Sequence, residues 1–369
     1  RPPPGAPALL GSAFASAGQD SDDRARDVLA KSMERTKQVP CVAILYQRAS
    51  GTPGPVMQVK VEQDGTGRTR LTVLQPSWME GVTYVDDGKS WKTYLPDKNR
   101  LIVQASMRPQ LAELQARLDL AAQNYRMQIE KPVNVAGRLA TVITADPRST
   151  AMLTRRYYVD RETGFLLRVE TEGKEGLETR LDTKHIKFSK ELTERSFDFN
   201  FTGEKPRRLD IPAPARIVSG VAVRPNLGFA PVIPKRIALG FVVQEPQLAG
   251  DNDFRFAAVR VTDGLVNGTV YQWKSAGDET PRAFQPQQGD KIARGVWFRF
   301  VGEVPSEARS QILESFIREA MRAMRLLLEP DPPPPALNDN GGSSPGIGTK
   351  EPTPKEPGPN CPERHGSCS

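Results

Sequence analysis

The chain has 369 residues, 38% of them hydrophobic, with 33 prolines and a net charge of +7. That length accommodates two modest domains with separate cores, and the proline load assigns part of the chain to linker. No apolar run reaches the roughly 18 residues that span a bilayer, which excludes an integral helical membrane protein as the reading of this stretch.

Residues 6–23, "APALLGSAFASAGQDSDD", read as the end of a secretory signal, with Ala15-Ser16-Ala17 as an A-x-A cleavage site; a flexible leader of small residues is the alternative. A first helix is predicted over 22–37, with Val28, Leu29 and Met33 as its apolar stripe and Asp22 and Asp23 at its positive end. A strand follows at 41–49, "CVAILYQRA". Residues 56–75 then read as a hairpin whose first arm alternates Met57, Val59 and Val61 with Gln58, Lys60 and Glu62. The meander continues over 83–104 through the turns "DDG" and "PDKN". A second helix is predicted over 108–125, with Pro109 at its first position and Leu111, Leu114, Leu118 and Ala121 along one face. Strands resume over 126–146, turning near Ala136-Gly137. They continue over 155–171, "RRYYVDRETGFLLRVET", where "DRETG" reverses the chain, and end with 178–190. No βαβ alternation occurs, so the sheet is antiparallel.

Residues 204–216, "EKPRRLDIPAPAR", combine cations with Pro206, Pro212 and Pro214 and predict an interdomain linker. Beyond it four strands are predicted from about 236 to 304. "TDG" at 262–264 is the clearest hairpin turn among them. A last helix over 306–328 carries Ile312, Leu313, Phe316, Ile317, Ala320, Met324 and Leu327 at helical spacing, with Ser306 as its N-cap. From 330 onward "PDPPPPALNDNGGSSPG" has too few apolar residues to bury a core. The expected organisation is therefore a leader (1–21), a large domain (22–203), the linker (204–216), a small α+β domain (217–329) and a disordered Pro-rich tail (330–369). In an oxidising compartment Cys361 and Cys368 can pair within that tail, leaving Cys41 a buried single thiol.

The positive charge is diffuse. In residues 173–187, "GKEGLETRLDTKHIK", cations alternate with acids as on a solvated strand surface. No aromatic–basic RNP-like stretch or recognition helix accompanies it, which argues against nucleic acid and leaves an acidic partner or an anionic membrane surface as the class it favours. Catalytic chemistry is equally unsupported. The two histidines fall mid-strand (His185) and in the tail (His365), and no HExxH, CxxC pair, GxSxG, Walker loop or strand-linked GxGxxG occurs. Carboxylate pairs such as Asp86-Asp87 and Asp251-Asp253 sit in turns, where solvated acids are the default over a calcium site. The chain reads as a non-enzyme without cofactor or metal.

What remains is apolar area on strands, with Tyr46, Trp78, Tyr84, Trp91, Tyr94, Tyr157, Tyr158, Phe165 and Phe188 as the large aromatics. A broad sheet covered by only two helices leaves an apolar hollow. The stretch "VNVAGRLATVITADP" followed by "YYVDRETGFLLRVETEGKEG", with the early helix and "PCVAILYQR", resembles the LolA/LolB-like lipoprotein-carrier superfamily. The second-half segments "FRFAAVRVTDGLVNGTVYQWKS" and "FVGEVPSEARSQILESF" resemble the sigma-E regulatory RseB/MucB group within it.

That resemblance implies an α+β fold: a LolA-like curved antiparallel half-barrel sheet with covering helices, plus a smaller α+β domain. It further implies a periplasmic or otherwise extracytoplasmic location, a half-barrel that accepts lipid acyl chains or lipoprotein, and a membrane-anchored anti-sigma factor as partner, shielded until envelope stress. A lipoprotein carrier without such a partner is the alternative, and a purely structural envelope protein a third. From the alternation, the residues expected to line the hollow are Tyr46, Met57, Val59, Val61, Leu71, Val73, Trp91, Tyr94, Leu101, Val103, Phe165, Leu167 and Val169.

Overall fold

The computed structural model describes residues 11–48, 56–106, 111–173, 176–189, 192–199, 201, 203–211, 215–217, 227–250, 254–274, 277 and 280–328. Side chains are described from residue 21 onward in the first helix and through residue 322 in the last. The expected tail with Cys361, Cys368 and His365, the acids Asp251 and Asp253, and the proposed helix start at Pro109 lie outside the described residues.

The described residues up to Leu327 form one compact unit built on two sheets. The larger sheet has twelve strands: β1 (Cys41–Arg48), β2 (Val56–Gln63), β3 (Thr69–Gln75), β4 (Thr83–Asp86), β5 (Ser90–Leu95), β6 (Arg100–Ala105), β7 (Tyr125–Val135), β8 (Arg138–Pro147), β9 (Thr154–Asp160), β10 (Leu166–Gly173), β11 (Gly176–Phe188) and β12 (Arg207–Asp210). Their spatial order is β12-β6-β5-β4-β3-β2-β1-β11-β10-β9-β8-β7, an open curved sheet and not a closed barrel. Every neighbouring pair is antiparallel except β12 with β6. The hairpins follow the turn residues: Ala136 and Gly137, at φ 52° and 76°, join β7 to β8 in the left-handed pair of conformations that a two-residue turn needs.

The first helix, α1 (Gly11–Arg35), runs further back than the 22–37 expected, so Ala15-Ser16-Ala17 lie within helical backbone. The second, α2, is Leu111–Asn124. Ala25 and Leu29 of α1 and Leu118 and Ala121 of α2 bury against Tyr125, Met127, Ile143, Ala145, Tyr157 and Val159, with Val28, Met33 and Leu114 at the margin. Both described helices in this part of the chain therefore sit at the β7–β10 end of the sheet. The β1–β6 half receives instead the short turn Ser77–Met79, from which Met79 packs inward. Trp78, expected on a strand, lies on that turn and is 70% exposed, because Pro76 has no N–H with which to continue β3.

The smaller sheet has the order β13-β14-β15-β16-β18-β17, with β13 (Ala215–Arg216), β14 (Val242–Gly250), β15 (Arg255–Thr262), β16 (Asn267–Lys274), β17 (Lys291–Ala293) and β18 (Val296–Gly302). The third helix, α3 (Ser306–Leu328), lays Ala308, Ile312, Leu313, Phe316 and Ala320 over Val259, Val261, Val270, Phe298 and Phe300. Residues 204–216, read above as a linker, are paired at two points: β12 extends the large sheet beside β6, and β13 extends the small sheet beside β14. The strand character of "RRLD" was hidden because its ladder is parallel and long-range, with no hairpin partner in sequence.

Candidate functional site

Cross-strand registers decide which residues share a face. Leu45 pairs with Val59 and Val59 with Val73; Ala43 pairs with Val61, Val61 with Leu71 and Leu71 with Tyr84. Met57, Val59, Val61, Leu71 and Val73 thus come together in one cluster with Ala43, Leu45, Val82, Met79, Tyr84, Leu95 and Ile186. Trp91, opposite Asp86, stands on the same face and packs its ring 5.8 Å from that of Tyr84.

Tyr94, Leu101 and Val103 do not join them. Thr83 pairs with Tyr94 and Tyr94 with Leu101, which puts these three on the opposite face, where Tyr94 meets Phe199 and Phe201 at 6.1 and 5.1 Å. Tyr46 also faces that way, beside the Lys184 ammonium. On β5 and β6 apolar residues occupy both faces, so alternation alone could not select the register. Phe165 and Leu167 enter a separate cluster with Cys41, Val135 and Ala140, and Val169 packs against the helix-covered cluster.

Burial divides the set again. Val59, Val61, Val73, Phe165 and Leu167 are buried by the protein's own side chains, so they are core. Met57, Leu71 and Trp91, with Tyr84 and Leu95, are half-buried on the half of the sheet without a described helix. These side chains leave apolar area in water, worth about 25 cal/mol per Å² if covered. The Cys41 thiol, inside the core, is pushed up to about 12 by burial, which leaves it protonated and inert.

A second concentration of chemistry lies where the two sheets meet. The turn after β15, Asp263-Gly264-Leu265, inserts between α2 and β7. Asp263 accepts the Tyr125 hydroxyl (2.7 Å) and the backbone N–H groups of Leu265 and Val266 (3.0 and 2.7 Å). Burial raises its carboxyl above the ordinary range, with Tyr125, the two amides and Arg155 opposing that rise. The amide of Asn124 donates to the carbonyls of Asp263 and Gly240 (2.8 and 3.1 Å), and the Arg117 guanidinium donates to that of Gly264 (3.3 Å). Arg155 donates to Glu303 from the large sheet.

The apolar contacts are reciprocal. Leu265 belongs to the helix-covered cluster of the large sheet, while Ala151 and Met152, from the β8–β9 connection, belong to the core of the small one. A cleft of about 170 Å³ remains beside the joint, lined by Asn124, Tyr125, Pro147, Arg148, Ser149, Met152, Leu239 and Asp263. The sequence marked "TDG" as a hairpin turn; nothing in it showed that the turn is also the plug.

Among the described residues no group of three or more His, Cys, Asp or Glu side chains is placed to hold a metal, and no helix is long and apolar enough to cross a membrane. His185 lies exposed on β11 opposite Ile44.

Comparison with known proteins agrees with this architecture. The family model of the MucB/RseB N-terminal domain matches residues 33–198. No curated protein matches the chain in sequence. The crystal structure of MucB superposes with a TM-score of 0.50 at 19% identity, over 82% of this chain and 98% of that one. The MucA/MucB complex of Pseudomonas aeruginosa gives a TM-score of 0.53 at 17% identity, over 80% and 97%. Residues 33–198 are thus similar to the MucB/RseB N-terminal domain, and the chain carries the fold of MucB.

Proposed function

We propose that this protein is an exported, non-enzymatic regulatory binding protein of the RseB/MucB type. It holds the extracytoplasmic part of a membrane-anchored anti-sigma factor and senses an acyl chain or lipoprotein on the apolar face of its large sheet, so that envelope stress controls the partner's release. The observation that carries this reading is the extent of the likeness: it covers 80% of this chain and 97% of the matched chain in the structure of MucB in complex with MucA(peri). The half-buried group Met57, Leu71, Tyr84, Trp91 and Leu95 supports the lipid part, since its half of the sheet has no described helix over it. Each buried methylene of an acyl chain contributes about 0.8 kcal/mol, from which the ordering of the chain must be subtracted.

The test is affinity capture of the full chain from detergent-solubilised envelopes, with mass spectrometry of both proteins and lipids. A single membrane-anchored anti-sigma protein is the expected partner. Retention of many lipoproteins without it supports the carrier function and refutes the regulator. Extracted lipid is expected to fall in Trp91→Glu, which places a charge on the half-buried surface without cutting into the core.

A further inference from the structure

The two edges of the large sheet are treated differently. At one edge, β7 is guarded. The carboxylate of Asp22 in α1 accepts the Met127 N–H, a register irregularity interrupts the ladder between Glu130 and Val133, and Lys131 and Pro132 stand within it. These are devices that stop a strand edge from recruiting another chain.

At the other edge, β12 has no bulge, no internal proline and, among the described residues, no strand or helix on its outer side. All four of its residues are exposed, with Leu209 and the following Ile211 at 46% and 41%. The N–H of Arg207 donates to the Asn99 carbonyl and that of Ile211 to the Val103 carbonyl, at 2.9 and 2.8 Å. By alternation, the N–H groups of Arg208 and Asp210 point away from β6.

The charges here are also unbalanced. Arg207 stands directly opposite Arg100, a like-charge cross-strand pair that disfavours the ladder it sits in. Lys98 and Lys205 flank it. None of these four has an ion-pair or hydrogen-bond partner for its charged group among the described residues, whereas Arg208 is neutralised by Asp210 at 2.8 Å. An open ladder beside uncompensated cations and two exposed aliphatic side chains fits one kind of ligand.

We propose that the outer edge of β12 receives an extended acidic peptide segment of a partner protein as an added strand. The new backbone ladder forms on Arg208 and Asp210. The segment's carboxylates meet Lys98, Arg100, Lys205 and Arg207, and its alternate apolar residues cover Leu209 and Ile211. This surface is distinct from the apolar face discussed above and does not depend on that reading.

The experiment pans a displayed library of random twelve-residue peptides against the full chain, with Arg208→Pro as counter-selection. That variant removes one outward N–H and spares the amides that bond β6. Enriched peptides are expected to be acidic with alternating aliphatic residues. They are expected to lose at least about tenfold in affinity on Arg100→Glu with Arg207→Glu, and again when their own alternate amides are N-methylated. Equal melting temperatures of the variants and the parent establish that folding is intact. The proposal is overturned by failure to enrich any peptide, by peptides indifferent to the charge reversal or to N-methylation, or by charge-dependent binding confined to phosphatidylglycerol vesicles.

Discussion

Replacing Gly264 by alanine tests whether the turn after β15 clamps the two sheets together. Its φ of +104° already favours glycine, so any Cβ carries backbone strain of about 1–2 kcal/mol. The added atom would lie 2.4 Å from both the Ala121 nitrogen and the Arg117 carbonyl oxygen. Those are main-chain atoms of α2 and cannot swing aside, which adds overpacking of about 1–3 kcal/mol. Gly137 separates the two effects, because it has a φ of +76° with nothing within 4 Å of its built Cβ. Gly137→Ala is therefore expected to cost only the backbone share. For a unit of this size, at about 2.1 cal/mol/K of unfolding entropy per residue, each kcal/mol lowers the melting temperature by about 1.5 °C. Gly264→Ala should accordingly melt about 3 °C or more below wild type and about 1.5 °C or more below Gly137→Ala, as measured by calorimetry. It should also accelerate amide exchange at Leu265 and Val266, whose N–H groups bond Asp263. Equal shifts for the two variants, with unchanged exchange at that turn, would refute the clamp.

Other perturbations give equally definite outcomes. Asp160 is lowered from the ordinary carboxylate range: burial acts to raise it, but the Arg138 guanidinium and the Thr163 amide and hydroxyl outweigh that. A depressed carboxyl contributes stability above its unfolded pKa that is lost as pH falls through the folded one. Arg138→Met should therefore destabilise the protein at neutral pH and flatten the acid limb of a urea-unfolding series taken below about pH 4. Tyr125→Phe leaves the buried Asp263 without its hydroxyl donor and should cost about 1–3 kcal/mol in the same assay. Mass spectrometry of the Cys41 peptide after alkylation should find it unlabelled in the native protein and fully labelled in denaturant, as expected for a buried thiol raised to about 12. In binding assays Leu167→Glu should lose soluble protein altogether, because that side chain is fully buried, whereas Trp91→Glu should keep the fold and lose lipid.

Most of the fold was legible because it is local. Alternation in "VMQVKVEQ" and the turns at Asp86-Asp87-Gly88 and Ala136-Gly137 report only on neighbours in sequence, and the strands lie where they indicate. The spacing of Ile312, Leu313, Phe316 and Ala320 likewise marked α3 and its buried face. Three features were not legible, all for non-local reasons. The parallel pairing of β12 with β6 joins residues over a hundred positions apart. The face taken by Tyr94, Leu101 and Val103 depends on a register that two-sided apolar strands do not encode. Where α1 and α2 rest determines which apolar residues are core and which stay half-buried, and their own stripes do not reveal it. The expected hollow residues are accordingly spread over three clusters and two faces.

The exchange of Leu265 for Ala151 and Met152 has a practical result for anyone dividing this chain. Cutting it at the proline-rich stretch near residue 212 yields an amino-terminal piece with an empty socket and a projecting methionine, and a carboxyl-terminal piece with a projecting leucine. Each fragment would bare greasy surface that the other normally hides, so co-expression of the halves should rescue solubility that neither has alone.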